Sequence, residues 1–375
     1  MRFLPIVVAM SAVALLVGCS SDPKPATSGV SDGRKHAVQA EIDRMVESGV
    51  AGAIATVTEN GETVVLTSGV TDRETRAPIP AAPPQQTRIG SISKTFLASV
   101  VLQLVAEDKI RLDEPIDTYL PGLLVGDGVD GRAITVRQIL RHQSGLPELT
   151  DDPQVDEYRA ALEHRTMTPE QEIALALRLP AAFAPGTQWK YTNTNYIVAG
   201  MLVERVTGAR YADELNRRIL QPLALEDTYL PGTGELDIRG PHPKGYATID
   251  GVVTDVTRIE PSVPWAAGAM VSTGVDLNRF YSELLAGRVV PAAQLVEMRA
   301  SVPTGQQLEG MDYGLGLGST RLPCGAEYFG HSGGISGYRT VSGATPEGRA
   351  ITYAFTEAPK SQPETISMLS HALCP

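Results

Sequence analysis

Arg88-Ile89-Gly90-Ser91-Ile92-Ser93-Lys94, running into Thr95-Phe96-Leu97-Ala98-Ser99-Val100-Val101-Leu102-Gln103-Leu104-Val105, is the stretch that decides how this chain folds. Phe96, Leu97, Val100, Val101, Leu104 and Val105 recur at helical spacing, which predicts a helix from Thr95 to Asp108 with an apolar side and with Ser91 to Lys94 forming its start. Residues three apart on a helix share a face, so Ser91 and Lys94 are neighbours. The positive potential of a helix N-terminus favours a deprotonated lysine there and steadies a developing oxyanion. A lysine desolvated at that point can accept the serine proton at neutral pH, which an exposed one with a pKa of about 10.4 cannot. S-x-x-K also describes an ordinary capped helix start carrying a surface lysine, and only its company distinguishes the two.

That company is Tyr191-Thr192-Asn193, after Phe183-x-Pro185-Gly186, and His331-Ser332-Gly333 in a strand-rich tail. Their order and spacing are those of S-x-x-K, S-D-N and K-T-G enzymes. Together with Ile134-Thr-Val-Arg-Gln-Ile-Leu-Arg-His-Gln-Ser-Gly-Leu146 and Gly330 to Gly334, they make residues from about Ala37 to Cys374 resemble the serine β-lactamase and penicillin-recognising DD-peptidase superfamily. The branch is the Y-x-N one, and the pattern is most similar to its secreted D-alanyl-D-alanine carboxypeptidases, including the cysteines at Cys324 and Cys374.

The resemblance implies a serine acyl-transferase or hydrolase without metal or organic cofactor. Ser91 is then the acyl-forming nucleophile and Lys94 its base. Tyr191 relays protons, its pKa lowered by nearby positive charge. Asn193 offers its amide to the substrate's acyl side chain and to Lys94. His331 stands for the lysine of K-T-G and bonds Tyr191 or the leaving group. Backbone N–H groups of Ser91 and Gly334 form the oxyanion hole, and Ser332 and Gly333 face the substrate. The expected substrate is the D-Ala-D-Ala end of a peptidoglycan stem peptide, with β-lactams as acylating mimics. A β-lactamase or small-ester hydrolase uses the same residues, and a wall-binding lipoprotein that kept only the fold is the alternative outside enzymology. Against that last alternative, every motif residue is present.

One departure bears on specificity. DD-peptidases of this type carry an arginine directly after Tyr-Gly-Leu-Gly-Leu to hold the substrate's terminal carboxylate, and here Tyr313 to Leu317 is followed by Gly318. Gly334 likewise offers no hydroxyl. Arg321 is the candidate replacement, and the expectation is weak carboxypeptidase activity with neutral esters and amides competing well. Gly330-His331-Ser332-Gly333-Gly334 also spells a G-x-S-x-G nucleophile elbow, but the glycine-broken, strand-like sequence after Ser332 does not supply the helix an elbow needs. Ser93 is expected to be a core serine, and His142-Gln143-Ser144-Gly145 a helix end with a glycine stop.

Outward from the motifs, His36 to Gly49 shows helical spacing, and residues 53–58 and 63–67 flank Asn60-Gly61 as a hairpin. Residues from about 113 to 261 read as mainly helical and irregular. Short strands follow at Tyr313 to Leu317, Glu327 to Phe329, Tyr338 to Val341 and Ile351 to Phe355, then a helix from Glu364 to Leu373. The expected fold is α+β: one antiparallel sheet built from both ends of the chain, helices on its faces, and a helical insertion between.

The 375 residues include 36 Gly and 27 Pro and carry a net charge of −11 with no basic patch, which argues against nucleic-acid binding. Met1-Arg2, the apolar run to Gly18 and Leu16-Val17-Gly18-Cys19 form a lipoprotein signal pattern. It predicts cleavage after residue 18, acylation of Cys19, a tether over 19–34, a hydrolase domain over 35–375, and an extracytoplasmic enzyme anchored to the bacterial cell membrane. Cys324 and Cys374, the remaining thiols, tend to pair in that compartment. Two cysteines without nearby histidines do not make a zinc site.

Overall fold

The computed structural model describes residues 4, 29–305, 307–308, 310–358 and 365–374. The signal-peptide segment apart from Leu4, the acylation site Cys19 and most of the expected tether lie outside the described residues. The tether does not extend to residue 34, because Ser31 caps helix α1 (Asp32–Glu47) by accepting from the Arg34 N–H. The Arg34 guanidinium is buried against Glu59 and the carbonyl oxygens of Ala372 and Cys374, which fastens the start of α1 to the end of the chain.

After α1 come strands β1 (Gly52–Glu59) and β2 (Glu62–Gly69), joined by Asn60-Gly61 with φ of 50° and 79°, the two positive angles that a tight hairpin turn requires. β3 (Thr87–Arg88) leads through a 3₁₀ turn (Gly90–Ile92) into α2 (Ser93–Ala106). The middle of the chain holds the small pair β4 (Val125–Gly126) and β5 (Val129–Asp130), then helices α3 (Val136–Leu140), α4 (Glu157–Leu162), α5 (Pro169–Ala176), α6 (Thr194–Thr207) and α7 (Tyr211–Leu215). A hairpin, β6 (Tyr246–Ile249) and β7 (Val252–Asp255), stands in the stretch expected to be helical and irregular. It turns on Asp250-Gly251, both at positive φ. α8 (Trp265–Gly268), β8 (Val271–Ser272, paired with β3), α9 (Gly274–Leu285) and α10 (Ala292–Arg299) precede the final strands.

Those strands are β9 (Val302–Pro303), β10 (Asp312–Tyr313), β11 (Gly318–Arg321), β12 (Glu327–Ile335), β13 (Tyr338–Ala344) and β14 (Ala350–Phe355), followed by α11 (Thr365–Leu373). They join β1 and β2 in one eight-stranded antiparallel sheet, ordered β2-β1-β14-β13-β12-β11-β10-β9, so both ends of the chain build it. α1 and α11 cover one face and α9 the other. Tyr313 to Leu317 is not one strand. Gly314 N–H bonds the Leu317 carbonyl oxygen and Gly316 sits at φ 71°, so the segment turns and drives Leu315 and Leu317 into the core.

α2 is buried on every side along most of its length rather than along one: Phe96, Leu97, Val100, Val101, Leu102 and Leu104 have no exposure, and Phe96 stacks on Phe280 at 3.8 Å. Cys324 and Cys374 are bonded, closing a loop of sequence separation 50. Among the described residues no helix is long and apolar enough to cross a membrane.

Glu172 on α5 is fully buried with both carboxyl oxygens unpartnered, and burial pushes its pKa up from 4.5 to about 9. The folded state therefore keeps a proton that the unfolded chain releases above its ordinary 4.5, and stability falls as pH rises between about 4.5 and 9. Thermal unfolding followed across that window should show a declining Tm, and Glu172→Gln should flatten the decline.

Candidate active site

β11 pairs with β12 only from Glu327 to Gly330, so His331 to Ile335 present a free edge on that side. The edge abuts the 3₁₀ turn carrying Ser91. A Cβ on Gly333 would lie 1.9 Å from the Ile89 carbonyl oxygen, and one on Gly90, held at φ 51°, would lie 2.8 Å from both N and O of Gly334. Only glycine lets the two backbones meet so closely. The contact sets the Gly334 backbone beside Ser91, where the N–H groups of both residues can serve an oxyanion. β12 continues as strand past Ser332 and into a hairpin with β13, so no nucleophile elbow exists there.

Lys94 is fully buried on the first turn of α2. Its Nζ donates to the Ala267 carbonyl oxygen at 2.7 Å and to Asn193 Oδ1 at 2.8 Å, and lies 2.8 Å from Ser91 Oγ. Desolvation lowers the Lys94 pKa from 10.5 to about 7, partly opposed by Glu148. A neutral amine has two N–H groups and one lone pair. The two fixed acceptors consume the N–H groups, and the lone pair is left facing the Ser91 hydroxyl. Asn193 is itself held by Glu148, which accepts from its backbone N–H at 2.7 Å and its side-chain amide at 3.4 Å. Asn193 thus gives its oxygen to Lys94 and one side-chain N–H to Glu148.

The Tyr191 ring passes 5.0 Å from Lys94 Nζ. Burial holds its phenol well above the usual range, opposite in direction to the lowering expected from neighbouring positive charge. Its hydroxyl is buried without a hydrogen-bond partner among the described residues. Tyr191 is therefore a neutral O–H at working pH, suited to donating a proton rather than to abstracting one.

His331 does not bond Tyr191. Its Nδ1 donates to the Ser332 carbonyl oxygen, so Nε2 accepts from the Tyr313 hydroxyl at 2.9 Å. Burial, with Lys94 nearby, lowers its pKa to about 3. His142, just past the end of α3 as expected, is fully buried behind this site. It stacks under Tyr191 at 4.2 Å between centroids, with Nδ1 accepting from the Thr192 N–H and facing the Asn195 amide. Its positive φ, 60°, marks the sharp turn after α3 that brings it there. Ser93 is the core serine expected, bonding the Gly90 carbonyl oxygen.

Two cavities meet at Ser91 and Gly334. One, of about 100 Å³, lies on the Asn193 side and is mostly apolar (Val155, Ile197, Val263, Ile335), with Thr150, Asn193 and Glu157 as polar members beside Ser91; Glu157 Oε1 accepts from Ser336 N–H and O–H. The other, of about 450 Å³, lies on the Tyr191 and His331 side, with Leu308, Met311, Ser332 and Arg339 in its wall. Arg321 enters neither. It is exposed at the far end of β11, opposite Glu327, because β11 runs away from the site from Gly318 onward. A larger hollow of about 670 Å³ beside α7 holds none of the motif residues. Among the described residues no His, Cys, Asp and Glu cluster could hold a metal ion.

Arg339 is the residue that sequence inspection missed. The signal was available: Ser336-Gly337 is a two-residue hairpin turn, and such a turn puts Arg339 directly opposite Gly334.

The β-lactamase family model matches residues 38–371. The chain belongs to the β-lactamase family. It is a serine hydrolase of that fold. Among solved structures it is similar to a D-stereospecific amidohydrolase from Streptomyces sp., at 36% identity and a TM-score of 0.83, covering 90% of this chain and 98% of that one. It is similar also to the D-amino acid amidase of Ochrobactrum anthropi SV3, at 28% identity and TM-score 0.78, covering 90% and 98%. Penicillin-binding protein 4 of Amycolatopsis lactamdurans is 28% identical over 258 residues, 68% of this chain but 65% of that protein. The chain thus spans less than two thirds of that relative's length.

A base that titrates near 7 gives this hydrolase a testable pH limb. The second-order rate of acylation should rise between about pH 5.5 and about pH 8.5 with a midpoint near 7, as Lys94 loses its proton. A flat profile measured with a substrate that does not itself titrate there would remove Lys94 as the base.

Proposed function

We propose that this chain hydrolyses amide bonds on the carbonyl side of a D-configured residue, through an acyl-enzyme on Ser91. The neutral Lys94 amine, with its lone pair turned to Ser91 Oγ, carries the reading. Ser91 Oγ bonds to the substrate carbonyl carbon while its proton passes to Lys94 Nζ. The oxyanion rests on the Ser91 and Gly334 N–H groups. The C–N bond then breaks, and the leaving nitrogen gains a proton from the Tyr191 hydroxyl, which Lys94 restores. Water enters where the amine left and bonds to the acyl carbon as its proton passes to Lys94 Nζ; the bond from that carbon to Ser91 Oγ then breaks, Lys94 returns the proton to Oγ, and the acid is released.

The small apolar cavity on the Asn193 side suits a short acyl side chain. The names of the relatives, a D-stereospecific amidohydrolase and a D-amino acid amidase, support the D configuration. D-Ala-D-Ala stem peptides fall within this substrate class, and β-lactams are acylating mimics of them. On the lipoprotein reading of residues 1–19 the enzyme works outside the cytoplasm, where such peptides occur.

Hydrolysis of D- and L-alanyl amides, compared in parent and variants, tests this reading. The D form should be cleaved at least ~10-fold faster, the scale on which a shaped pocket discriminates. Ser91→Ala and Lys94→Ala should abolish both cleavage and covalent labelling by a fluorescent penicillin. Tyr191→Phe should slow acylation by ~10²-fold. Preference for the L form, or a label mapped away from Ser91, would contradict the proposal.

A further inference from the structure

No hydrogen bond among the described residues aims the Tyr191 phenol. Its segment does not aim it either, since Lys190 to Thr192 run without regular structure ahead of α6. A proton donor must still be held to a narrow direction, because a misplacement of about 1 Å costs on the order of 10²-fold in rate. His142 meets Tyr191 on three sides. Its carbonyl oxygen accepts from the Lys190 N–H at 3.1 Å, its Nδ1 accepts from the Thr192 N–H at 3.2 Å, and its ring lies against the phenol at 4.2 Å between centroids, tilted by 31°. The residues on either side of Tyr191 are thus tied to the residue on which its own ring packs.

The imidazole is itself fixed. The Ser144 hydroxyl donates to Asn195 Oδ1 at 2.6 Å and accepts from the Leu146 N–H at 3.1 Å, which turns the Asn195 amide nitrogen toward His142 Nδ1 at 3.1 Å. With two N–H groups directed at it, Nδ1 carries the lone pair and the ring hydrogen is on Nε2. Nε2 is buried without a partner among the described residues, and the backbone stands at φ 60°. His142 therefore bears two costs, an unmade hydrogen bond and a left-handed backbone under a large side chain. A phenylalanine would remove the first and a glycine the second, but neither combines an acceptor for Thr192 with a ring for Tyr191. Asn193 has anchors of its own: Glu148 accepts from its N–H, and the Thr192 and Thr194 hydroxyls on either side both bond the Pro147 carbonyl oxygen. Loss of the imidazole thus reaches Tyr191 and leaves the acceptors of Lys94 in place.

We propose that His142 is a positioning residue for the Tyr191 proton donor, setting the direction in which the phenol faces the departing nitrogen. The proposal rests on the amide-hydrolysis reading above, in which Tyr191 protonates that nitrogen. His142 takes no proton itself, because two donors occupy Nδ1 and Nε2 already holds its hydrogen. Its role is confined to leaving groups that need a proton. An amide nitrogen needs one to depart, whereas a p-nitrophenolate leaves as the anion.

The test compares kcat/KM, which reads acylation, for a D-alanyl amide and for the p-nitrophenyl ester of the same acyl group. The enzymes are parent, Tyr191→Phe, His142→Asn, His142→Ala and the double variant Tyr191→Phe/His142→Ala, with Tm measured for each. Tyr191→Phe should slow the amide by ~10²-fold and the ester by less than about threefold. His142→Asn keeps an acceptor near the Nδ1 position and tolerates the positive φ but lacks the ring, and it should slow the amide by about tenfold with the ester within about threefold. His142→Ala lacks both and should approach Tyr191→Phe on the amide, at about 30- to 100-fold. The double variant should be no slower on the amide than Tyr191→Phe alone, because no donor is left to aim. Where His142→Ala does not fold, the same cycle is built on His142→Asn. Amide and ester rates that fall together in His142→Asn would mark a purely structural residue and overturn the assignment. So would an amide rate in His142→Asn equal to the parent's, or losses that multiply in the double variant. A Tyr191→Phe enzyme slowed equally on amide and ester, or a parent inert toward the amide, overturns the amide-hydrolysis reading and this proposal with it.

Discussion

A lysine amine stripped of water and given two oxygen acceptors is the constraint on which the rest of this protein depends. Burying an ammonium is costly, and the group responds by losing its proton. For that to be useful the amine must stay aimed at one hydroxyl. Ala267 on α8 and Asn193 at the start of α6 fix two of its three directions, and Ser91 occupies the third. Each of these residues is positioned by packing around α2, and this explains why α2 is apolar on nearly every side. A helix with one polar face would have left Lys94 hydrated and charged.

The same dryness governs the groups around the amine. Tyr191, His142 and His331 are all pushed toward their neutral forms by burial, and each is a hydrogen-bonding or packing element rather than a charge. Among the described residues the ionisable groups nearest Ser91 that keep a charge by type are Glu148 and Glu157 on the Asn193 side and Arg339 on the Tyr191 side.

Much of this was legible in the sequence, where local chemistry and periodicity agree. Asn60-Gly61 announced its hairpin, the spacing of Phe96 to Val105 its helix, and Ser91, Lys94, Tyr191, Asn193 and His331 do converge at one place. What the sequence hid depends on burial and register. The direction of the Tyr191 shift could not be known before its hydroxyl was seen to be enclosed. His331 had no visible claim on Tyr313, because Gly316 turns the chain back at a point that reads as strand. Arg321 seemed near the site by counting residues, but β11 diverges from it, while Arg339 reaches it by strand pairing.

The central claim is that Lys94 is neutral and points its lone pair at Ser91 under working conditions. It is tested most directly by an NMR titration of the Lys94 side chain, assigned by comparison with Lys94→Ala, in protein labelled at lysine Cε. The account predicts a Cε resonance that titrates with a midpoint near 7, far below the ordinary lysine value of 10.5. A Lys94 signal that remains that of an ammonium until about pH 10 would contradict it.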